Sequence, residues 1–203
     1  MHRVSFFVDG FNLYHALDDN PAFHKYKWLN LDRLSRSFIK SDDNLAEVIY
    51  FTTYCTWNQT KLAKHQIYVR ALQFAKVSVV FGAFRSVDKE CKICHRQYKT
   101  FEEKQTDVNI AIKLFQTAVS DSWDTAMVIS GDSDLIPAVK AVKSTFPAKQ
   151  VGIIIPIGRR AEELKHVADF HMKLKEKHLS SCQFDDVVEI DGNVKLTRPA
   201  SWR

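Results

Sequence analysis

The chain has 203 residues, of which 45% are hydrophobic, so it can bury one good-sized core and we expect a single domain with a small appendage. Its net charge of +5 and pI near 9.0 make an anionic partner plausible. The most apolar stretch, Val151 to Ile157, is too short to cross a bilayer and contains Pro156, which excludes a membrane-spanning protein. With no secretory segment expected and only 4 cysteines, we predict a cytoplasmic location.

The first half of the chain alternates strand and helix patterns. Continuous apolar or β-branched runs predict strands, and apolar residues at helical spacing predict helices between them. The predicted elements are a strand at Val4 to Val8, a loop, a helix from about Asn30, a strand at Glu47 to Tyr54, a helix capped by Asn58 or Thr60, and a third strand at Val77 to Phe84.

The second half continues the alternation. Thr106 is predicted to cap a helix that is apolar nearly all round and therefore packed on both sides. After it come a strand at Thr125 to Ile129, a helix at Asp134 to Val142, a strand at Gln150 to Ile155 and a short helix at Ala161 to Ala168. This spacing predicts an α/β fold, an open and mainly parallel sheet with helices on both faces.

The tail has a different pattern. Residues 187–196 predict a small hairpin around a turn that contains Gly192, and Pro199 to Arg203 are expected to be a loose end. We therefore predict a main domain over residues 1–177 and a C-terminal appendage over residues 178–203.

Aspartates stand at three strand or helix boundaries. Asp9 and Asp132 follow apolar strands, Asp134 comes two residues later, and Asp107 opens a helix. Because strand ends of a parallel sheet converge on one crevice, these carboxylates are expected to meet there and to require a hard cation. Each also has an ordinary structural explanation, an Asp-Gly turn for Asp9 and helix capping for the others.

The segments around these aspartates resemble the NYN family of PIN-like nucleases. They are Val8-Asp9-Gly10-Phe11-Asn12-Leu13, Glu102-Glu103-Lys104-Gln105-Thr106-Asp107-Val108 and Ser130-Gly131-Asp132-Ser133-Asp134-Leu135-Ile136-Pro137. The resemblance covers roughly residues 3 to 170, and the final residues from Gly192 to Trp202 also resemble bacterial members. It implies a PIN-like fold and a Mg²⁺- or Mn²⁺-dependent endoribonuclease whose partner is single-stranded or structured RNA.

The same resemblance suggests roles for individual residues. Asp9 and Asp132 would be direct metal ligands, Asp107 would ligate directly or through water, and Asp134 would hold the attacking water. Ser130, Lys104 and Asn12 would contact the phosphate or orient a carboxylate, although Lys104 also fits an ordinary surface lysine.

A segment without acidic residues is the candidate RNA-binding surface. From Val48 to Val87 there is no Asp or Glu, whereas basic and aromatic residues alternate. Positive charge that follows phosphates, together with rings that stack on bases, is typical of single-strand binding. The favoured residues are Trp57, Lys61, Lys64 and Arg70, with Arg159 and Arg160 as a further contribution, whereas the strand aromatics are expected in the core.

Cys91 and Cys94 form a Cys-x-x-Cys pair in a charged segment. This is half of a zinc site, which His95, Cys55 or His65 could complete, but a reduced thiol pair is the favoured interpretation. A thioredoxin-like redox role is disfavoured because the pair does not open a helix after a strand.

Two other functions compete with the nuclease. A haloacid-dehalogenase-like phosphatase also has a strand that ends in Asp, but it needs a second Asp where this chain has Phe11. A catalytically silent RNA-binding module is the other alternative, and no sequence feature excludes it.

Overall fold

A parallel sheet of six strands forms the centre of the protein. The structure is a computed structural model and describes residues 1–190, 192 and 194–203. Its strands are β1 (Arg3–Asp9), β2 (Asn44–Thr52), β3 (Ser78–Phe81), β6 (Thr125–Ile129), β7 (Gln150–Ile155) and β8 (Phe170–Lys173). Their order across the sheet is β3-β2-β1-β6-β7-β8, and every neighbouring pair is parallel. The predicted α/β sheet is confirmed.

Seven α-helices are described along the chain. They are α1 (Gly10–Asp18), α2 (Leu31–Arg36), α3 (Gln59–Phe74), α4 (Thr106–Val119), α5 (Ile136–Thr145), α6 (Glu162–Val167) and α7 (Glu176–Ser181). Short 3-10 turns occur at Pro21–Tyr26, Ser133–Leu135 and Ala200–Trp202. The helix predicted from about Asn30 is α2, and Asn58, one of the two predicted caps, caps α3. The side chains of Asn30 and Asn58 each accept a hydrogen bond from the third residue after them.

Both faces of the sheet are covered by helices, as predicted. Successive side chains of a strand point to opposite faces, so Phe6 and Val8 pack with α1, α2, α3 and α7, whereas Phe7 packs with α4, α5 and α6. Each face therefore has its own apolar core, and β1 contributes to both.

Residues 10–18 form a helix where the sequence predicted a loop. The Asp9 side chain caps α1 by accepting a hydrogen bond from the Asn12 backbone N–H, and Leu13 and Leu17 are buried at helical spacing. Gly10 is needed for packing, because a Cβ there would lie 2.4 Å from the Phe51 carbonyl oxygen. The glycine thus permits the start of α1 to lie close to the end of β2.

The predicted third strand is divided into two. It ends at Phe81, and after Gly82 the chain leaves the sheet in an antiparallel hairpin of β4 (Ala83–Glu90) and β5 (Gln97–Lys104). The hairpin was missed because its charged residues alternate without a buried face, so the period-2 apolar pattern of a strand is absent.

Two predictions about α4 are wrong. Gln105, in a left-handed conformation, precedes the helix, and Thr106 is its first residue. Val108, Ile112 and Val119 are about half exposed, so α4 packs on one side only. In addition, β8 and α7 were not predicted from the sequence.

The C-terminal hairpin is confirmed by the antiparallel pairing of β9 (Val187–Ile190) and β10 (Val194–Thr197). Its predicted turn includes Asp191 and Asn193, which lie outside the described residues. The expectation of a loose end is wrong, because Trp202 is buried against Trp28 and Tyr68. The division of the chain at residue 178 stays a prediction.

Candidate metal centre and adjoining cavity

The order in which strands are added to the sheet reverses between β1 and β6. From β1 the chain proceeds to β2 and β3 on one side, and β6, β7 and β8 follow on the other side. In open parallel sheets this reversal opens a crevice at the carboxyl ends of the two central strands. Asp9 ends β1 and Ser130 follows β6, and the pairing of Val8 with Ile129 places these two residues side by side.

Asp9 is held by two hydrogen bonds at the base of this crevice. One carboxylate oxygen accepts from the Asn12 backbone N–H at 3.0 Å, and the other accepts from the Ser130 hydroxyl at 2.8 Å. The side chain is almost fully buried, and burial raises its pKa despite these two donors. A carboxylate so fixed can offer its remaining lone pairs to a cation.

The loop after β6 is fixed to the same two residues. The Asp132 backbone N–H donates to the Ser130 hydroxyl oxygen, and the Gly131 N–H donates to the Asn12 side-chain oxygen, both at 3.0 Å. The Asp132 carboxylate accepts from the Asp134 N–H at 3.0 Å and caps the following turn. Asn12 and Ser130 therefore orient the segments that carry Asp9 and Asp132.

Asp107 completes a group of three carboxylates. Asp9, Asp107 and Asp132 each offer one oxygen, and these oxygens lie within 4.8 Å of one another. Within residues 1–190, 192 and 194–203 this is the one group of three or more His, Cys, Asp or Glu side chains so arranged. The predicted meeting of these three residues is confirmed, and their arrangement is compatible with a divalent metal, since oxygen ligands suit hard cations.

Mutual repulsion is visible in the proton affinity of Asp107. Burial first, and then the charges of Asp132, Asp9, Glu103 and Asp134, raise its pKa from 3.8 to about 6. A cation between the carboxylates would remove this repulsion, so the donor set fits Mg²⁺ or Mn²⁺.

Glu103 belongs to the same acidic surroundings, although the sequence analysis assigned it no role. It lies near the end of β5 and accepts hydrogen bonds from the backbone N–H and the hydroxyl of Thr106. Its charge also raises the pKa of both Asp9 and Asp107. The only sequence signal was its position in the segment that contains Asp107.

Two other predicted residues lie at the edge of this centre. Asp134 is exposed and outside the group of three, but its charge reaches Asp107. Lys104 is exposed and forms an ion pair with Glu102 at 3.1 Å. A contact between Lys104 and phosphate stays a prediction.

An aromatic-lined cavity of about 560 Å³ adjoins the carboxylates. Gly10 and Phe11, which directly follow Asp9, line it together with Glu103. Its surface is mainly apolar and includes the rings of Phe11, Trp57, Phe84 and Phe101. A volume of this size is typical of sites for small ligands.

Three of the four predicted RNA-binding residues line this cavity. Trp57 lies just before α3, and Lys61 and Lys64 are in its first turns. Arg70 is exposed further along α3 and lines a separate, smaller cavity with Tyr54. The structure therefore brings Trp57, Lys61 and Lys64 together and places Arg70 apart from them.

Arg159 and Arg160 lie beside the loop that carries Asp132. A Cβ on Gly131 would be 3.3 Å from the Arg160 carbonyl oxygen and 3.5 Å from the Arg159 Cβ. The Arg159 guanidinium donates to the Asp19 carboxylate at 2.8 Å, which links the segment after β7 to the end of α1.

Cys91 and Cys94 lie at the turn of the β4–β5 hairpin. Backbone N–H groups of Ile93 and Cys94 approach the Cys91 sulfur and lower its pKa. His95, beside them, pairs with Glu90 at 2.6 Å. In the part of the chain that the structure describes, these thiols belong to no group of three possible metal ligands, and a zinc site at Cys91 and Cys94 stays a prediction.

Among the described residues, no helix is long and apolar enough to cross a membrane.

Comparison with known proteins agrees with the fold. The chain is 23% identical over 241 aligned positions to 6-hydroxy-3-succinoylpyridine 3-monooxygenase HspA of Pseudomonas putida, covering 98% of this chain and 75% of that protein. A crystal structure of a protein of unknown function from Vibrio parahaemolyticus superposes with a TM-score of 0.61 at 13% identity, covering 86% of this chain and 94% of the other. The family model of the NYN domain matches residues 3–175, which is most of the chain. The chain therefore belongs to the NYN domain family.

Proposed function

We propose that this protein is a Mg²⁺- or Mn²⁺-dependent endoribonuclease that hydrolyses RNA phosphodiester bonds and acts in the cytoplasm. The observation that carries the proposal is the convergence of Asp9, Asp107 and Asp132, with one oxygen from each within 4.8 Å of the others. Membership of the NYN domain family supports the same activity. The 4 cysteines are free thiols, as expected in a reducing compartment.

Asp9, Asp107 and Asp132 would hold the metal. When bound, the ion supplies a water molecule of lowered pKa and neutralises charge on the leaving oxygen. Asn12 and Ser130 fix the Asp9 carboxylate and the Asp132 loop before substrate arrives. The exposed Asp134 carboxylate would orient the attacking water and accept its proton.

The basic and aromatic residues beside the carboxylates would hold the RNA. Lys61 and Lys64 would contact backbone phosphates and offset the repulsion between the RNA and the carboxylates, with Arg70 adding a more distant contact. Trp57 would contact a base. Lys104 would contact the phosphate if its ion pair with Glu102 opened.

The proposal is tested with purified protein and an end-labelled single-stranded RNA. We expect internal cleavage products in Mn²⁺ or Mg²⁺, none in EDTA, and none with Asp132→Asn. Asp88→Asn is the matched control, because Asp88 is an exposed aspartate on β4 that is not among the clustered carboxylates. Equal cleavage by wild type and Asp132→Asn would instead indicate a contaminating nuclease and leave the silent RNA-binding module as the better description.

The phosphatase alternative has weaker support. Phe11, at the position where that chemistry needs a second aspartate, packs edge-to-face on Phe84 at 5.5 Å. Hydrolysis of p-nitrophenyl phosphate through a covalent aspartyl-phosphate would revive this alternative.

A second candidate function involves a small aromatic substrate. The name of the Pseudomonas putida relative indicates that it acts on a substituted pyridine. The aromatic-lined cavity of about 560 Å³ is large enough for such a ring. Incubation with 6-hydroxy-3-succinoylpyridine, O₂ and a reduced nicotinamide or flavin, followed by mass spectrometry for an added oxygen atom, tests this function.

A further inference from the structure

The cavity beside the carboxylates has no role in the metal chemistry described above. It lies between α1, the start of α3 and the β4–β5 hairpin, and Gly10, Phe11 and Glu103 are shared between its lining and the surroundings of the acidic group. If a ligand fills this cavity, the chemical group attached to it on that side would therefore lie next to Asp9. For an RNA, the attached group would be a backbone phosphate.

The wall of the cavity is a packed set of aromatic rings. The Trp57 indole stacks on Phe101 with ring centroids 3.7 Å apart and an interplanar angle of 6°, and it meets Phe84 edge-to-face at 4.6 Å. Phe84 in turn meets Phe11 edge-to-face at 5.5 Å. These contacts hold Trp57 in place, yet it remains 43% exposed, so part of the ring is open to a planar partner.

The polar groups of the lining include an unused hydrogen-bonding atom. Thr53 is 7% exposed, and its hydroxyl oxygen has no hydrogen-bond partner among the described residues. A buried polar atom without a partner is destabilising, so a ligand toward which the Thr53 side chain turns would stabilise the hydroxyl by bringing a donor or an acceptor. An apolar ligand would leave it unsatisfied.

His65 adds a neutral polar group to the same cavity. Its ring nitrogen lies 3.1 Å from the Thr52 hydroxyl, and burial lowers its pKa from 6.5 to about 4. At pH 7 the ring is therefore uncharged. The interior of the cavity offers hydroxyl and imidazole groups, whereas Lys61 and Lys64 supply positive charge on its lining.

We propose that this cavity binds a single nucleobase of RNA, unstacked from its neighbours, so that its attached phosphate reaches Asp9, Asp107 and Asp132. A base has planar faces for Trp57 and hydrogen-bonding edges for Thr53, and its backbone carries the negative charge that Lys61 and Lys64 favour. The inference rests on the proposed nuclease function for its substrate class, but binding can be measured separately from cleavage. A free N-heteroaromatic compound has similar ring chemistry, so the experiment must separate the two sources.

The first experiment changes the RNA and leaves the protein intact. Short single-stranded RNAs, each with one abasic nucleotide at a different position, are titrated in EDTA so that no metal-dependent cleavage occurs. We expect one position at which loss of the base weakens binding by about tenfold or more, because stacking on an aromatic side chain contributes to that extent. Equal affinity for every abasic RNA would overturn the proposal, whether or not the protein cleaves RNA.

The second experiment assigns the effect to the cavity. Trp57→Ala and Thr53→Val should weaken binding of the intact RNA and should abolish its preference over the most affected abasic RNA. Tyr98→Ala is the matched control, because Tyr98 is an exposed aromatic residue on β5 outside the cavity lining. If Tyr98→Ala and Trp57→Ala weaken binding equally, the cavity is not the base site.

The third experiment separates an RNA base from a free ring. Trp28 and Trp123 are buried, and Trp202 is a second tryptophan of the cavity lining, so the part of the fluorescence quenching that is lost in Trp57→Phe reports on Trp57 itself. We expect RNA to quench it, even in a protein that fails to cleave, in which case only the proposed catalysis is wrong. Quenching by 6-hydroxy-3-succinoylpyridine with none by RNA would overturn the nucleobase assignment.

Discussion

The Ser130 hydroxyl donates a hydrogen bond to the buried Asp9 carboxylate across 2.8 Å, although 121 positions separate the two residues. The same hydroxyl oxygen accepts from the Asp132 backbone N–H at 3.0 Å. One serine side chain therefore positions two of the three clustered carboxylates. Replacing groups that orient metal ligands in this way typically lowers metal affinity or activity by about 10- to 100-fold.

Ser130→Ala should lower metal affinity and RNA cleavage by about 10- to 100-fold, because both carboxylates lose their shared support. It should also cost about 1–3 kcal/mol of stability, since Asp9 stays buried with one donor fewer. Calorimetric Mn²⁺ titration and denaturant unfolding measure the two effects. Ser133→Ala, at an exposed serine between Asp132 and Asp134, should change neither quantity, and an equal effect would refute the role of Ser130.

Asp132→Asn should reduce cleavage by more than about a hundredfold while leaving the metal-free protein as stable as wild type, or more stable. The substitution removes one of several charges that repel one another around Asp107. Thermal unfolding in EDTA and single-turnover cleavage in Mn²⁺ measure the two properties. A large loss of stability would mean that Asp132 is mainly a structural cap of the turn that follows it.

The contribution of Asp107 to the stability of the metal-free protein should decrease as the pH rises from about 4 to about 6. Asp107 has a pKa of about 6 in the folded state against an ordinary value of 3.8, so the folded state binds the proton more tightly and loses this advantage as the carboxyl ionises. Unfolding of wild type and of Asp107→Asn in EDTA measures this contribution as the difference between their two slopes, because the lowered pKa of His65 changes stability in the opposite direction over the same range. Mn²⁺ should bind more weakly below pH 6, because proton and metal compete for the same carboxylates. A slope unchanged in Asp107→Asn would contradict this assignment.

Lys61→Ala and Lys64→Ala should weaken RNA binding for every sequence alike. Removal of one lysine–phosphate interaction on a single strand should flatten the salt dependence by about 0.7 of a log unit per log unit of salt. Arg70→Ala is the informative comparison, because Arg70 lies roughly 13 Å further along the helix axis than Lys61 and outside the cavity. Filter binding in EDTA from low to moderate salt tests the series. A slope unchanged in Lys61→Ala would move the RNA path away from the cavity, whereas a slope unchanged in Arg70→Ala would mean that the RNA does not reach the later turns of α3.

Gly10→Ala should destabilise the fold by about 1–3 kcal/mol through overpacking, because its Cβ would lie 2.4 Å from the Phe51 carbonyl oxygen. Gly131→Ala should cost less, since its nearest neighbour would be 3.3 Å away. Denaturant unfolding of both variants compares them. If Gly10→Ala is as stable as wild type, the start of α1 and the end of β2 can separate more easily than their packing indicates.

Regular elements with buried apolar residues were predictable from the sequence, and irregular or exposed ones were not. The strand over Val4 to Val8, the helix from about Asn30 and the cap at Asn58 depend on local patterns, and all are confirmed. The β4–β5 hairpin has no buried face, so no apolar periodicity marked it. The burial of Trp202 had no local signal, because its partners, Trp28 and Tyr68, come from distant parts of the chain.

The sequence by itself determined the parallel sheet and the three aspartates of the candidate metal centre, because strand ends of such a sheet must share one edge. Tertiary structure alone decided how those aspartates are supported and what lies beside them. The hydrogen bonds of Ser130 and Asn12 depend on the register between β1 and β6. The hydrogen bond that the Glu103 carboxylate accepts from the Thr106 N–H depends on where the β4–β5 hairpin ends. The aromatic cavity likewise exists only because Phe11, Trp57, Phe84 and Phe101 are brought together from separate elements, which local sequence patterns do not encode.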